Sequence, residues 1–117
     1  MKKIIRDKIP EIATKDGGYM NVSVVSKEVG LQYMIEKLDE EVAELKEAMA
    51  LSVGKPFTNE IRTEMADVFE VMKGIQQKWL QCHGGVAFAN ETIVNTAKAK
   101  ASTNGAFDRN YILEVEK

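Results

Sequence analysis

Two long stretches of this chain repeat apolar residues at steps of three and four, which is the period of an amphipathic helix. The first stretch runs from about Val29 to Leu51, and its apolar stripe consists of Leu31, Ile35, Leu38, Val42, Leu45 and Met49. The second runs from about Thr58 to His83, with a stripe of Ile61, Met65, Val68, Met72, Ile75 and Trp79. Such stripes pack helix against helix, so the pattern predicts two long helices in the core of a bundle.

Boundary signals frame both helices. Ser26 is a candidate N-cap of the first helix, with Gly30 as the alternative start, and Thr58 or Asn59 caps the second. Between them, the segment 52–56 holds Gly54 and a proline, which end a helix and favour a turn. Gly84 and Gly85 then stop the second helix. These signals predict a long antiparallel hairpin that folds back about Gly54.

The remaining segments carry weaker patterns. Residues 1–30 predict an irregular leader, in which 21–25 could form a short extended piece. A third helix is expected from about Ala87 or Asn90 to Ala101, followed by an apolar tail at 111–113 that we expect to pack on a neighbour. The predicted fold is all-α: a helical bundle built on the hairpin, with an irregular N-terminal leader and a short C-terminal tail, in a single domain over 1–117.

Composition excludes several classes of protein. With 117 residues, 44% apolar and 29% charged, the chain is an ordinary globular domain and not a disordered one. The net charge of −2 and the lack of a basic stripe exclude a nucleic acid polymer as partner. No apolar run approaches the roughly 20 residues of a membrane span, so no membrane association is expected.

Cysteine content and chain length lead to expectations about the cellular location and the oligomeric state of the protein. The single cysteine, Cys82, allows no internal disulfide, and the charged N-terminus has no apolar signal segment, so we expect a cytoplasmic protein. A chain this short buries a limited share of its surface. Packing between subunits would help it, so we expect a homo-oligomer, a dimer or a tetramer.

Four acidic residues form two helical pairs. Glu41 with Glu44, and Glu64 with Asp67, are each spaced i, i+3, so both carboxylates of a pair lie on one helix face. Gly54 lies midway between the two pairs, so the hairpin brings them to one level. Four carboxylates at one level repel each other unless a cation lies between them. Oxygen ligands of this kind suit Mg²⁺, which shares its coordination shell with phosphates.

A simpler interpretation is a solvated acidic helix face, in which Lys37 and Lys46 form ion pairs with the acids. The position of the acids argues against it. Each of the four directly precedes a residue of an apolar stripe. They are therefore expected to flank the seam, the line of contact between the two helices, where unpaired charge is costly and a bound cation compensates.

The acidic pattern resembles that of a known superfamily. Glu40-Glu41-x-x-Glu44, a linker of this length and Glu64-x-x-Asp67 are similar to the signature of the MazG-like, all-α nucleoside triphosphate pyrophosphohydrolases, which include the phosphoribosyl-ATP pyrophosphohydrolases. Residues 6–12 resemble the N-terminal segment of one MazG-like branch, and Lys100 with residues 105–113 resembles its C-terminal segment. The chain departs from that pattern at Asn104, where arginine is usual, and at Ala106, where glycine is usual.

The resemblance implies Mg²⁺-dependent cleavage of a nucleoside triphosphate to the monophosphate and pyrophosphate. It implies metal ligation by Glu41, Glu44, Glu64 and Asp67. Glu40 matches the first acid of the motif, either as a supporting residue behind the ligands or simply as part of the helix surface. Glu41 or Glu44 would take the proton of the attacking water. The implied phosphate-binding residues are Lys100, Arg109, Arg6 and Lys8.

Two alternatives stay open from sequence. Within the enzyme class, the alternative is phosphoribosyl-ATP hydrolysis. Outside it, the chain would be a non-catalytic helical interaction module whose acids face solvent or a partner.

Overall fold

A computed structural model describes residues 2–85 and 90–115. These residues form four helices, namely α1 (Ile9–Lys15), α2 (Lys27–Leu51), α3 (Asn59–His83) and α4 (Asn90–Asn104). They contain no strand, and α2 and α3 pack as a long hairpin, which confirms the all-α prediction. The chain divides into two compact units, Met1–Ala87 and Phe88–Lys117. The single-domain interpretation stays a prediction.

The predicted caps begin both helices of the hairpin. The Ser26 hydroxyl accepts a hydrogen bond from the Val29 backbone N–H at 3.3 Å, so α2 begins at Lys27, slightly before the predicted start. The Thr58 hydroxyl accepts from the Ile61 N–H at 3.2 Å, and α3 follows. Each cap satisfies one of the backbone donors that the first helical turn leaves unpaired.

The hairpin turns where the sequence predicts. Gly54 has φ +82°, a left-handed conformation that glycine adopts without strain. Contacts between the helices fix the register: a Cβ added to Gly74 would lie 2.5 Å from Met34 Cε, and one added to Gly30 would lie 3.9 Å from Lys78. Both contacts are centred on Gly54, so residues equally far from it along the chain lie at the same level.

The buried seam is narrower than the predicted apolar stripes. Its buried apolar residues, among those described, are Leu31, Ala48, Ile61 and Val71. Five residues that the stripes predict as core are instead exposed in the single chain, namely Ile35, Met49, Met65, Met72 and Trp79. The core prediction is wrong for these five, because two helices touch along one line and leave the outer part of a broad stripe uncovered.

The leader is more ordered than predicted, because it contains the short helix α1. A proline in the first turn, Glu11 near the N-terminus and Lys15 in the last turn all favour a helix there. Gly17, with φ +79°, follows the end of α1. The extended piece expected at 21–25 forms no strand.

In the C-terminal unit, α4 extends to Asn104, beyond the predicted end at Ala101. The alternative start at Ala87 lies outside the described residues. Gly105, at φ +86°, follows the helix, and the apolar residues 111–113 are exposed. Their packing on a neighbour stays a prediction.

Bilayer crossing requires a helix that is both long and apolar, and none of the helices in the described part of the chain meets that requirement.

Candidate metal centre

Three carboxylates converge at the middle of the hairpin. Glu41 comes from α2, while Glu64 and Asp67 come from successive turns of α3. One carboxylate oxygen from each residue lies within 4.8 Å of the other two. We call Glu41, Glu64 and Asp67 the carboxylate cluster. The predicted meeting of acids at one level is present for these three residues.

The sequence predicts that Glu41 flanks the seam. In the structure, Glu41 instead lies within the seam. Its exposed fraction is 7%, and it stands seven residues before the buried Ala48. Glu64 likewise stands seven residues before the buried Val71. These heptad spacings place both glutamates in rows that are otherwise apolar.

Two oxygens of the carboxylate cluster lack a partner. Glu41 Oε2 and Glu64 Oε2 are buried and have no hydrogen-bond partner. An unpaired buried polar atom costs free energy of folding, about 1–3 kcal/mol in typical proteins, so native structures seldom leave one unexplained. A ligand that bonds both oxygens would account for them.

Two basic side chains compensate the cluster only in part. Arg6 Nη2, from the leader, donates to Asp67 Oδ1 at 2.9 Å. Lys37 Nζ, one turn before Glu41 on α2, lies 3.3 Å from Glu41 Oε1. Each cation engages one oxygen of its acid and leaves the second oxygen of that carboxylate for another partner.

Glu40 lies outside the carboxylate cluster. Its Oε1 lies 3.6 Å from Lys3 Nζ and 3.7 Å from Lys37 Nζ. Because Lys37 also contacts Glu41, Glu40 helps to hold the lysine beside the cluster. The supporting role of Glu40 stays a prediction.

Glu44 is exposed and is not among the three converging carboxylates. The charge of Glu41 is the largest influence that raises the pKa of Glu44, followed by burial. The pKa of Glu64 is also raised, first by burial and then by the charges of Asp67 and Glu41. Both shifts indicate uncompensated negative charge at this level of the hairpin. The role of Glu44 as a fourth ligand stays a prediction.

The carboxylate cluster fits a divalent cation. One oxygen from each of the three carboxylates lies within 4.8 Å of the other two, so a single divalent cation between them would contact all three residues. All three donors are carboxylate oxygens, the ligand type of Mg²⁺, Ca²⁺ and Mn²⁺.

The predicted phosphate-binding residues occupy different places. Arg6 contacts the carboxylate cluster directly, and Lys8 is exposed at the start of α1. Lys100 lies on α4, and Arg109 donates to the Tyr111 hydroxyl at 3.4 Å, both within the C-terminal unit. Their role toward phosphate stays a prediction.

A groove between the leader and α2 was missed by the sequence analysis. Its volume is about 470 Å³, and it is lined by Lys2, Lys3, Tyr33, Glu36, Lys37 and Glu40. The i, i+4 spacing of Tyr33 and Lys37 places both on one face of α2, but nothing in the sequence indicates that the leader covers that face. Lys37 belongs both to this groove and to the surroundings of the carboxylate cluster.

Comparisons with known proteins add no family to these observations. A scan against protein-family models finds no match, and searches of curated proteins and of solved structures find none either. The resemblance to the MazG-like superfamily therefore rests on the motifs alone.

Proposed function

We propose that this protein is a Mg²⁺-dependent nucleotide pyrophosphohydrolase that cleaves a nucleoside triphosphate to the monophosphate and pyrophosphate. The observation that carries the proposal is the carboxylate cluster, with two of its buried oxygens unpaired. The MazG-like motifs name these three residues together with Glu44. Glu41, Glu64 and Asp67 would hold the ion.

When bound, the cation supplies positive charge to the polyphosphate and lowers the pKa of a coordinated water. The side chains of the protein then have two tasks, which are to accept a proton and to hold the substrate. Water attacks a phosphorus of the triphosphate, the bond between its α- and β-phosphoryl groups breaks, and the proton of the water passes to a carboxylate. Glu44 suits that task because it lies outside the cluster and because the charge of Glu41 raises the pKa of Glu44, which favours proton uptake. Glu41 is the alternative.

Basic side chains around the carboxylate cluster would hold the phosphates. Arg6 lies beside Asp67, and Lys37 links the cluster to the groove that the leader forms with α2. Phosphoryl transfer requires positive charge around the equatorial oxygens, which both residues can supply. We retain Lys8, Lys100 and Arg109 as further candidates from the resemblance.

The alternatives make different demands. A helical interaction module has no need for unpaired carboxylates inside its seam, and an acid at Glu41 would only weaken its packing. Phosphoribosyl-ATP hydrolysis would use the same cluster, but the terminal segments favour the MazG-like branch. The proposal also includes the cytoplasmic location and the homo-oligomeric state that are expected from the sequence.

The experiment that tests the proposal measures pyrophosphate release from standard and modified nucleoside triphosphates and from phosphoribosyl-ATP. Each substrate is assayed with Mg²⁺ and with chelator. Glu64→Gln is the test variant, and Glu70→Gln, an exposed acid on the same helix, is its matched control. We expect release that requires Mg²⁺, is lost in Glu64→Gln and is kept in Glu70→Gln.

Two results would contradict the proposal. Release that is equal in Glu64→Gln and the wild type would remove the carboxylate cluster from the chemistry. If no substrate releases pyrophosphate and Mg²⁺ leaves the melting temperature unchanged, the interaction module replaces the enzyme. Preference for phosphoribosyl-ATP would keep the cluster chemistry and change only the substrate.

A further inference from the structure

The groove between the leader and α2 begins beside the carboxylate cluster. Lys37 lines the groove, and its Nζ also lies 3.3 Å from Glu41 Oε1, so one end of the groove lies next to the acids. Tyr33, which lines the groove as well, precedes Glu41 by eight residues of α2 and therefore lies about 12 Å along the helix from it. A nucleotide has a similar length from its phosphate to the far edge of its base.

The groove has the size of a small-molecule site. Its volume of about 470 Å³ lies within the roughly 300–1,000 Å³ of typical ligand pockets. The wall formed by α2 consists of residues spaced i, i+3, i+4 and i+7, which lie on one face of the helix, namely Tyr33, Glu36, Lys37 and Glu40. The leader forms the other wall with Lys2 and Lys3. A nucleoside whose phosphates lie at the carboxylate cluster would fit in this space.

The two acids that line the groove differ in their partners. Glu40 pairs with Lys3 and Lys37, whereas Glu36 forms no ion pair in the described part of the chain. Glu36 is exposed and lies one helical turn from Tyr33. A carboxylate only accepts hydrogen bonds, and its two oxygens can accept from two donors of one ligand. Glu36 is therefore available to select a ligand that presents two adjacent donors.

Tyr33 gives the groove an aromatic side chain. It is half-buried and stands three residues before Glu36 on the same face of α2. Aromatic side chains bind planar bases by stacking, which tolerates every base because each base has a flat face. The alkyl parts of Lys2 and Lys3 suit the other face of the base. Stacking supplies affinity, and the choice among bases falls to the polar groups beside it.

Guanine presents the hydrogen-bond pattern that these polar groups match. Its Watson–Crick edge carries two adjacent donors, the ring N1–H and the exocyclic amino group, and the acceptor O6 lies next to them. The two donors fit the two oxygens of Glu36, and Lys2 lines the same groove and can donate to O6. Adenine and cytosine present a single donor group on this edge. Uracil and thymine place an acceptor on each side of their one donor.

We infer that this groove binds the base of the substrate and that Glu36 makes it selective for guanine nucleotides. The inference rests on the proposed function, because the carboxylate cluster has to hold the phosphates for the base to reach Tyr33. Tyr33 stacks on the base, and Glu36 accepts hydrogen bonds from N1–H and from the amino group. Glu36 thereby determines specificity and takes no part in breaking the phosphoanhydride bond.

The test compares guanosine triphosphate with inosine triphosphate, which lacks only the amino group that donates to Glu36. We would measure kcat/KM for pyrophosphate release with Mg²⁺ for the wild type, for Glu36→Gln and for Glu47→Gln. Glu47 is an exposed acid of α2 outside the groove, so its variant is the matched control. The wild type and the control should favour the guanosine substrate by about tenfold, as a two-fold contact to a base typically does. In Glu36→Gln the ratio should fall close to one, chiefly through a loss with the guanosine substrate.

Binding of the monophosphates supplies a measurement that needs no catalysis. Calorimetric titration with Mg²⁺ present compares guanosine monophosphate with inosine monophosphate. We expect the wild type to bind the guanosine compound about tenfold more tightly and Glu36→Gln to bind the two alike. Tyr33→Leu removes the stacking surface, so it should weaken both compounds by about fivefold or more and leave their ratio unchanged.

The outcomes separate this inference from the proposed function. Mg²⁺-dependent release with equal kcat/KM for guanosine, inosine and uridine triphosphates would overturn the inference and leave the proposed function intact. A guanosine preference that Glu36→Gln keeps would also overturn it, because another group would then recognise the amino group. If no triphosphate releases pyrophosphate but binding of guanosine monophosphate still depends on Glu36, the proposed function is wrong and the groove remains a guanine site.

Discussion

The two sides of the hairpin differ in how many of their side chains find partners within the single chain. We call the side of the hairpin that faces the leader the charged flank. Its ion pairs join Lys3, Arg6 and Lys37 to Glu40, Asp67 and Glu41 across 2.9–3.7 Å. The opposite side, the apolar flank, consists of Ile35, Leu38, Val42, Leu45 and Met49 on α2 and of Met65, Val68, Met72, Ile75 and Trp79 on α3, and half of these residues are exposed in the single chain. The first flank therefore pairs most of its charges within the chain, whereas the second leaves apolar side chains exposed.

This difference arises because one pair of helices turns charged residues to one side of the seam and apolar residues to the other. Residues three apart and four apart along the same helix turn toward opposite sides of the seam. Glu44 and Leu45 are neighbours in sequence, yet they belong to the charged and the apolar flank. Changes on one flank should therefore leave the other unaffected, and the following predictions use that independence.

The largest effect is expected when one carboxylate of the carboxylate cluster is replaced. Glu41→Gln keeps the shape of the side chain but removes its charge, so we expect Mg²⁺ affinity to fall by about a hundredfold or more. Calorimetric titration measures it, with the exposed Glu47→Gln on the same helix as control. The mass in solution should not change. Equal Mg²⁺ affinity in the two variants would exclude the cluster as a cation site.

A smaller effect is expected from the cation that faces Glu41. Lys37→Met leaves the buried carboxylate uncompensated, so the chelated protein should lose about 1–3 kcal/mol of unfolding free energy. The same change removes a positive charge beside the cluster and should raise Mg²⁺ affinity several-fold. Chemical denaturation and titration measure the two effects, with the exposed Lys73→Met as control. A stable variant with weaker Mg²⁺ binding would show that Lys37 does not compete with the cation.

The pH dependence should show the same uncompensated charge. Folding raises the pKa of Glu44, chiefly through Glu41, and of Glu64, chiefly through burial, above the usual 4.5. Their contribution favours the native state below pH 4.5 and is lost as the pH rises through the raised values. In chelator, the stability of Glu64→Gln minus that of the wild type should therefore increase from pH 4.5 to neutral. With Mg²⁺ present, the wild type should instead become more stable relative to Glu64→Gln as the pH rises. In chelator, a stability difference that decreases as the pH rises would contradict the prediction.

The hairpin could be predicted from sequence because its signals are local. The caps at Ser26 and Thr58, the glycine at 54 and the apolar period each act within a few residues, and together they fix both helices and their register. The convergence of Glu41, Glu64 and Asp67 follows from that register. The helix in the leader was missed because its seven residues are too few for a periodic signal.

The number of buried residues could not be predicted from sequence. The spacing of apolar residues along a helix does not show how wide a strip of that helix its neighbour covers. The stripes predict that Met72 and Trp79 are core, whereas a two-helix seam covers neither. Glu41 is wrong in the opposite direction, because it is buried although it is charged. A pattern that counts only apolar positions cannot place a charged residue in the core. The contact of Arg6 with Asp67 joins residues 61 positions apart and leaves no local signal.

The smallest predicted effects lie in the seam itself, where two glycines allow a comparison of how closely the helices approach. Gly30→Ala adds a Cβ at ordinary contact distance from Lys78, so the gain in helix propensity should stabilise the protein by about 0.5–1 kcal/mol. Gly74→Ala brings the same gain, but its Cβ would lie 2.5 Å from Met34 Cε, and Met34 must rotate away. We expect Gly74→Ala to gain less than Gly30→Ala in urea denaturation, with Mg²⁺ affinity and mass unchanged in both. Equal gains would mean that Met34 moves freely and that the seam is loosely packed at Gly74, so the register would depend on the turn at Gly54 more than on this contact.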